Sequence, residues 1–184
     1  MDERLVELTG PEHGIIIDLA YAGADNLSGQ AIYASARCLV RRETEACLRR
    51  AVRFAALCGT RLKLFDAYRP PAAQARLWQC VPDPRYVAAV GTSNHSRGVA
   101  VDVTLVDEGG QDLDMGTRFD TMDAASHLLA AGHSTGVQRN RFLLLGIMKL
   151  AGFIELNEEW WHFELPDARS FPVLEDRRVR LESG

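Results

Sequence analysis

Three side chains of types that bind divalent metals are spaced so that they can meet: His95, Asp102 and His162. The segment Gly98 to Val106 alternates in the manner of a β-strand, which puts Asp102 on the face opposite the valines. The other residues on the face of Asp102 are small and leave room above its carboxylate. His95 lies in the loop that leads into this strand, so we expect a ligand site at that point.

A second segment, Trp160 to Leu165, repeats the alternation. His162 and Glu164 share one of its faces, and Trp161 and Phe163 are predicted to point to the core. If the two strands are neighbours in the sheet, the imidazole of this segment and the carboxylate of the first converge on one side.

Two imidazoles and one carboxylate leave one coordination position open, as a catalytic zinc ion requires for its water. Structural zinc sites are usually closed and often contain cysteines, and the sequence has no such cysteine cluster. The same ligand set also suits non-haem iron, which stays open as an alternative. The prediction is one zinc ion per chain, bound by His95, Asp102 and His162.

Glu159 precedes His162 by one short turn, at the entrance to the predicted strand. From that position its carboxylate can reach a water activated by the metal without being a ligand, and we predict that it is the general base. The HExxH helix signature of thermolysin-like enzymes is absent. Glu164, on the same face as His162, is the competing candidate for this role, although a surface position is the simpler interpretation.

Size and charge limit the remaining possibilities. With 184 residues, 47% of them hydrophobic, the chain is long enough for one compact domain, and we expect a single domain over residues 1–184. The formal net charge of −4 argues against a nucleic acid or an anionic membrane as partner. The oligomeric state leaves no mark in the sequence.

The N-terminus lacks a basic start followed by an apolar run, so we expect no signal peptide. No apolar stretch approaches the roughly 20 residues that span a bilayer. The cysteines form no CxxC pair, and we expect reduced thiols, with Cys47 and Cys58 as small core residues of one helix. A cytoplasmic protein is the resulting expectation.

Helical and strand patterns are mixed without βαβ regularity, which favours an α+β fold with an antiparallel sheet. The predicted helices run from about Arg42 to Leu57, Pro71 to Gln79 and Val137 to Leu150, and the predicted strands are Leu62–Phe65, Gly98–Val106, Phe153–Leu156 and Trp160–Leu165, with an irregular loop over 81–90.

Several segments together resemble the VanX-type D-alanyl-D-alanine dipeptidases. They are Ser-x-His-Ser-Arg-Gly-x-Ala-x-Asp from Ser93 to Asp102, Glu-Trp-Trp-His from Glu159 to His162, and Asp-Ala-Tyr-Arg-Pro from Asp66 to Pro70. Tyr21-Ala, Met115 to Asp120 and Gln138 to Arg141 are similar to the same family. The likeness covers about four-fifths of the chain in matching order, which makes the joint pattern highly specific.

The resemblance implies the fold shared with D-Ala-D-Ala carboxypeptidases and the hedgehog domain, a small antiparallel sheet backed by helices. It also implies hydrolysis of D-Ala-D-Ala to two D-alanines, for cell-wall precursor editing of the kind seen in vancomycin resistance or for nutrient recovery. Arg69 would stabilise the oxyanion and Asp120 would receive the substrate ammonium, with Ser93 at the carboxylate end and Tyr21 as a further substrate-binding residue.

For two of these residues, the sequence also allows a simpler structural role. Arg69 could anchor a turn, and Asp120 could cap a helix that begins at Thr121. The stretch between Arg69 and Ser93 is shorter than in the vancomycin-resistance enzymes, which bears on selection for a free dipeptide. The competing functions are a D,D-carboxypeptidase or endopeptidase on longer peptidoglycan peptides and a non-catalytic zinc-binding module.

Overall fold

A computed structural model describes residues 4–174 and has a five-stranded sheet as its centre. The strands are β1 (Leu5–Leu8), β2 (Ile16–Ile17), β3 (Cys38–Arg41), β4 (Arg61–Asp66), β5 (Ala100–Val106), β6 (Ile154–Leu156) and β7 (Glu159–Glu164). The helices are α1 (Gly10–His13), α2 (Arg42–Leu57), α3 (Pro71–Cys80) and α4 (Thr135–Ala151), with 3₁₀ turns at Ala20–Ala22, His95–Arg97, Ala124–Ser126 and Ala168–Ser170.

The sheet order is β2-β4-β5-β7-β6, and every pair in it is antiparallel except β2 with β4. β1 and β3 form a separate antiparallel pair. The predicted class, an α+β fold with a small antiparallel sheet backed by helices, is confirmed. The short parallel strand β2 and the β1–β3 pair were not predicted from the sequence.

One face of the sheet is apolar and packs against helices. Leu64 pairs with Val103, and Val101 pairs with Phe163, so the apolar residues of the three central strands align across the sheet. Together with Leu48 of α2 and other residues of α2 and α4, they form the main buried core. Burial of this face leaves the opposite face, which carries Asp102, free to hold polar groups.

The predicted elements agree with the structure to within a few residues at each end, and Gly152 ends α4 in the left-handed conformation, at φ 104°. The cysteine prediction is half wrong. Cys47 is buried, but Cys58 is exposed, because α2 ends at Leu57 and Cys58 already belongs to the turn that leaves it. The cysteines in this part of the chain are free thiols. None of the helices within residues 4–174 has the length and apolar character needed to cross a membrane.

The first turns of α4 hold the long irregular segment between β5 and α4 in place. Arg141 is fully buried and donates hydrogen bonds to the carbonyl oxygens of Met115, His127 and Ala125, at 2.8, 2.7 and 2.9 Å. Asn140 donates to a fourth carbonyl of the segment, at 2.9 Å. These bonds replace the backbone pairing that an irregular segment lacks.

This arrangement predicts a large loss of stability when Arg141 is removed. Arg141→Ala removes three hydrogen bonds from a charged donor and leaves a cavity where the buried side chain lay, and it should lower the free energy of unfolding by about 3–5 kcal/mol. Arg139→Ala, an exposed neighbour on the same helix, is the matched control and should change it by less than about 0.5 kcal/mol. Urea unfolding of the two variants measures the difference, and equal stabilities would contradict the role assigned to Arg141.

Candidate metal centre and active site

Three ligand-type atoms converge on the polar face of the sheet. Asp102 of β5 pairs in register with His162 of β7, and His95 approaches from the 3₁₀ turn before β5. The Oδ1 atom of Asp102 lies 3.1 Å from Nδ1 of His162 and 3.4 Å from Nε2 of His95, and the two nitrogen atoms are 3.3 Å apart. All three residues are buried. Within residues 4–174, this is the group of His, Cys, Asp and Glu side chains that is arranged to hold a metal ion.

The other nitrogen atom of each ring is already engaged. His95 Nδ1 lies 2.8 Å from the carbonyl oxygen of Ala67, to which it donates, so Nε2 is left with a lone pair that faces the centre. His162 Nε2 lies 3.3 Å from Oε2 of Glu164, and Nδ1 faces the centre. Two imidazole nitrogens and one carboxylate oxygen with these orientations fit a divalent transition metal with an open position.

The charges within the cluster shift the pKa values of Asp102 and His162 in opposite directions. Burial would raise the pKa of Asp102, but the neighbouring His95 and His162 outweigh it and hold that pKa far below its usual range. Burial would lower the pKa of His162, but hydrogen bonds to Asp102 and Glu164 prevail and raise it to about 10. A metal ion that binds these atoms therefore displaces a proton.

Glu159 lies at the start of β7, beside the convergence point. Its Oε2 atom is 3.9 Å from Nδ1 of His162, too far for a hydrogen bond but close enough to share a water molecule. Burial is the largest influence on its carboxyl group and raises the pKa of Glu159, against the opposing effect of His162. The competing candidate, Glu164, lies at the other side of the His162 ring, and hydrogen bonds from His162 and Asn94 outweigh burial and lower its pKa.

Arg69 follows β4 and is fixed by an almost fully buried network. Its Nε and Nη2 atoms donate to Oδ2 of Asp66 at 3.0 and 2.6 Å, and Nη1 donates to Gln74 at 3.0 Å. Tyr33 donates to the other oxygen of Asp66 at 2.6 Å. The guanidinium group lies 4.0 Å from Asp102, within reach of a group bound at the centre. The network fixes the orientation of the guanidinium group beside Asp102.

The partners of Arg69 were missed by sequence reasoning. Asp66 lies in the Asp-Ala-Tyr-Arg-Pro motif, three residues before Arg69, and this spacing was the available signal. Gln74 lies on α3 and is itself held by a bond from its amide to the carbonyl of Ala88. No motif around Tyr33 or Gln74 in the sequence indicates that either residue contacts the Arg69 network.

Asp120 lies in the segment held by Arg141 and adopts a left-handed backbone conformation, at φ 60°. Its carboxylate is nearly buried and accepts one hydrogen bond from the backbone N–H of Leu27, at 3.0 Å. Burial raises the pKa of Asp120 to about 7, and the hydrogen bonds from Leu27 and Tyr21 only partly offset the shift. The capping alternative is wrong, since the 3₁₀ turn that follows begins at Ala124 and is capped by Asp123.

These groups line one cleft of about 780 Å³. Tyr21 lies beneath the guanidinium of Arg69, with the ring centroid 4.6 Å from its central carbon. Ser93 is buried in the wall, and its hydroxyl makes no hydrogen bond to the part of the chain that the structure describes. The stretch between Arg69 and Ser93 does wall the cleft, through residues 84–89 and Thr92.

Trp161 belongs to the main buried core, as predicted, and it also borders this cleft. The centroid of its ring lies 5.4 Å from that of Phe119. The position at the cleft reflects the local pairing. β7 pairs with β5 only from His162 onward, and a register shift interrupts its pairing with β6, so strict alternation does not hold at Glu159–Trp161.

Comparison with known proteins decides the family. The model of the D-Ala-D-Ala dipeptidases, peptidase family M15, matches residues 1–182. The D-alanyl-D-alanine dipeptidase of Escherichia coli K12 is 49% identical over 175 residues, 95% of this chain and 91% of its own. This chain belongs to the D-Ala-D-Ala dipeptidase family. It is therefore a metallopeptidase, as the resemblance predicted.

Relatives of lower identity carry the same name. The D-alanyl-D-alanine dipeptidase of Enterococcus faecium is 35% identical over 179 residues, and the match covers 84% of this chain and 88% of the relative. That of Streptomyces coelicolor is 34% identical over 178 residues, 84% of this chain and 87% of the relative. The dipeptidase family thus accounts for nearly the whole chain, with the three converging residues inside the matched region.

The raised pKa of Asp120 predicts a pH-dependent loss of stability in the metal-free protein. A carboxyl group whose pKa is higher in the folded than in the unfolded chain binds more protons when folded, so its burial lowers stability progressively from about pH 4 to about pH 7. Asp120→Asn removes this penalty and keeps the acceptor for Leu27. The variant should gain stability relative to wild type as the pH rises, by on the order of a few kcal/mol.

Urea unfolding at pH 4 and pH 8, with a chelator present, measures this gain. Asp123→Asn, three residues further on, is the control and should show no comparable pH-dependent gain. A difference between wild type and Asp120→Asn that is the same at both pH values would contradict a buried, protonatable Asp120.

Proposed function

We propose that this chain hydrolyses the free dipeptide D-Ala-D-Ala to two D-alanines, as a single domain over residues 1–184 with one zinc ion bound by His95, Asp102 and His162. The observation that carries the proposal is the convergence of these three ligand atoms within 3.4 Å of one another, with the Glu159 carboxylate 3.9 Å from one of them. The names of the relatives support the substrate. As part of the same proposal, we place the reaction in the cytoplasm.

His95, Asp102 and His162 would hold the zinc ion, which would supply Lewis-acid chemistry, polarising the scissile carbonyl and lowering the pKa of a water molecule to about 7. Zinc is favoured over iron because amide hydrolysis requires no change of oxidation state, and zinc has none to offer. The proposal assigns every other part of the reaction to side chains of the cleft.

Glu159 acts first as general base and then as general acid. Its carboxylate takes the proton from the attacking water and later gives it to the amine of the departing D-alanine. Burial supports this double role, because it raises the pKa of Glu159 toward the range in which a carboxyl group both accepts and releases a proton. The position beside the ligand atoms, without being one of them, lets the carboxylate move between the two tasks.

Arg69 stabilises the negative charge that develops on the carbonyl oxygen. Its guanidinium group is held by Asp66 and Gln74, so little reorganisation is needed as the charge forms. A charge-assisted bond from a fixed donor in a water-poor site is stronger than the same bond in water.

The two ends of the dipeptide have separate partners. Asp120 pairs with the free ammonium group, which supplies the positive charge that its buried carboxylate lacks. The hydroxyl of Ser93 binds the carboxylate end, and Tyr21 forms the wall between Arg69 and Asp120. The separation of Asp120 from the metal site then fixes the distance between amine and scissile carbonyl in a good substrate.

Replacing Glu159 should separate metal binding from turnover. Glu159→Gln keeps the shape of the side chain and the zinc ion, and should lower kcat by about 10²–10⁴ because the general base is lost. His162→Ala should lose both the metal and the activity, since it removes a ligand. Glu158→Gln, the exposed neighbour, is the matched control and should resemble wild type. Metal content and turnover of the purified variants are the measurements. Near wild-type turnover of zinc-loaded Glu159→Gln would assign the base to another residue.

A blocked amine should abolish most of the activity. The N-acetyl form of D-Ala-D-Ala lacks the positive charge that Asp120 requires, and a D,D-terminated tripeptide displaces its amine by one residue. For each of these two substrates, kcat/KM should be about a thousandfold or more below the value for the dipeptide. The reason is that a buried carboxylate without a positively charged partner costs several kcal/mol. Asp120→Asn should reduce this difference in kcat/KM by lowering the value for the dipeptide, and Asp123→Asn should leave the difference unchanged. Comparable kcat/KM for the three substrates on wild type would favour a D,D-carboxypeptidase instead.

A further inference from the structure

The two metal-facing histidines are oriented in chemically different ways. His95 donates from Nδ1 to a neutral partner, the backbone carbonyl of Ala67, at 2.8 Å. His162 has a carboxylate in the equivalent place, because Oε2 of Glu164 lies 3.3 Å from its Nε2. Glu164 is two residues further along β7 on the same face, which brings it to the far edge of the His162 ring, away from the convergence point.

Glu164 is itself held in position by the loop that carries the other histidine. Asn94 donates from its side-chain nitrogen to Oε2 of Glu164 at 2.7 Å, and its side-chain oxygen is buried without a partner in the described chain. The amide is therefore oriented by its donation to Glu164. The backbone carbonyl of Asn94 accepts from Arg97 and Val99, so the residue is anchored in the turn that contains His95.

The backbone strengthens this link. Glu164 pairs in register with Ala100 at the start of β5, and the N–H of Leu165 donates to Val99 at 2.9 Å. The series of side-chain hydrogen bonds from Asn94 through Glu164 to His162 thus joins two segments that are already fixed to one another. Its members are buried or half-buried, and their separation is set by the sheet rather than by flexible loops.

We propose that Glu164, held by Asn94, is a positioning residue for the metal site, which fixes the His162 ring with its Nδ1 lone pair toward the zinc ion and increases the basicity of that nitrogen. A hydrogen bond from a ligating imidazole to a carboxylate fixes both the tautomer and the ring orientation and strengthens the ligand. This inference rests on the proposed zinc site at His95, Asp102 and His162. It gives Glu164 a role other than general base, since the ring of His162 lies between it and the reacting atoms.

Metal affinity is the readout that tests this role. Losing such a partner typically costs 10–100-fold in metal affinity, and we expect a loss of about this size for Glu164→Ala, measured by competition for zinc with a fluorescent chelator. Glu164→Gln keeps a hydrogen-bond acceptor for Nε2 and should recover part of the loss. Glu155→Ala is the control: this residue lies on the adjacent strand, with 26% of its side chain exposed against 23% for Glu164, and it pairs with Lys149 instead of a histidine.

A second readout reports the ligand geometry itself. The visible absorption spectrum of the cobalt-loaded protein depends on the orientation of the ligating rings, so it should change in Glu164→Ala and stay unchanged in Glu155→Ala. The thermal unfolding of the metal-free variants identifies any general loss of structure. If Glu164→Ala does not fold, Asn94→Ala tests the same chain of contacts and should lower zinc affinity in the same direction.

The double variant tests whether Asn94 acts through Glu164. Asn94→Ala with Glu164→Ala should lose no more affinity than Glu164→Ala alone, because the two residues act in series. Wild-type zinc affinity and an unchanged cobalt spectrum in folded Glu164→Ala would overturn the inference and leave the proposed function intact. Zinc binding that survives in His162→Ala would instead overturn the proposed metal site, on which the inference depends.

Discussion

The pairing of β5 with β7 is the constraint on which the site depends. It places Asp102 directly opposite His162, and it does so because Val101 and Phe163, one residue away, are buried together on the other face. Side chains alternate along each strand, so a slip of one residue would turn His162 toward the helices and bury Phe163 in the cleft. The apolar core beneath the sheet, with no polar chemistry of its own, thereby sets which atoms meet above it.

The acidic side chains in and beside the cleft are all largely buried, but they differ in the groups that stabilise their negative charge. Asp66 accepts bonds from Arg69 and Tyr33, and Asp102 lies between two histidines. Asp120 accepts hydrogen bonds from the backbone N–H of Leu27 and from Tyr21, and Oε2 of Glu159 lies 3.9 Å from Nδ1 of His162. The histidines beside Asp102 outweigh its burial and hold its pKa far below the usual range, whereas burial prevails at Asp120 and Glu159 and raises the pKa of each. The proposed division of labour follows this difference, since holding a cation needs permanent charge and proton transfer needs a labile proton.

The parts of the site that follow from period-two alternation could be predicted from the sequence. Asp102 and His162 lie on the polar face as their strand patterns indicate, and the long helices α2 and α4 begin and end close to the predicted residues. Contacts between segments far apart in the sequence could not be predicted. The bond from Asn94 to Glu164 and that from Leu27 to Asp120 depend on how loops dock.

The same dependence on pairing between distant segments explains two features of the structure that the sequence did not indicate. The pair β1–β3 joins four-residue strands across a long segment that contains α1 and β2, and no local pattern in the sequence indicates this pairing. Trp161 borders the cleft as well as the core at a point to which the ladder between β5 and β7 does not extend. Periodicity predicts a face only where a regular ladder exists, and the entrance to β7 lies outside it.

The left-handed backbone at Asp120 restricts which amino acids evolution can place there. Aspartate, asparagine and glycine tolerate this conformation, whereas glutamate is disfavoured by its longer side chain and has no comparable local stabilisation. A carboxylate at this position therefore reaches into the cleft by one methylene group and no more. If the family diversifies toward longer or shorter peptides, the change has to come from moving the segment that Arg141 holds, because the residue itself offers no intermediate lengths.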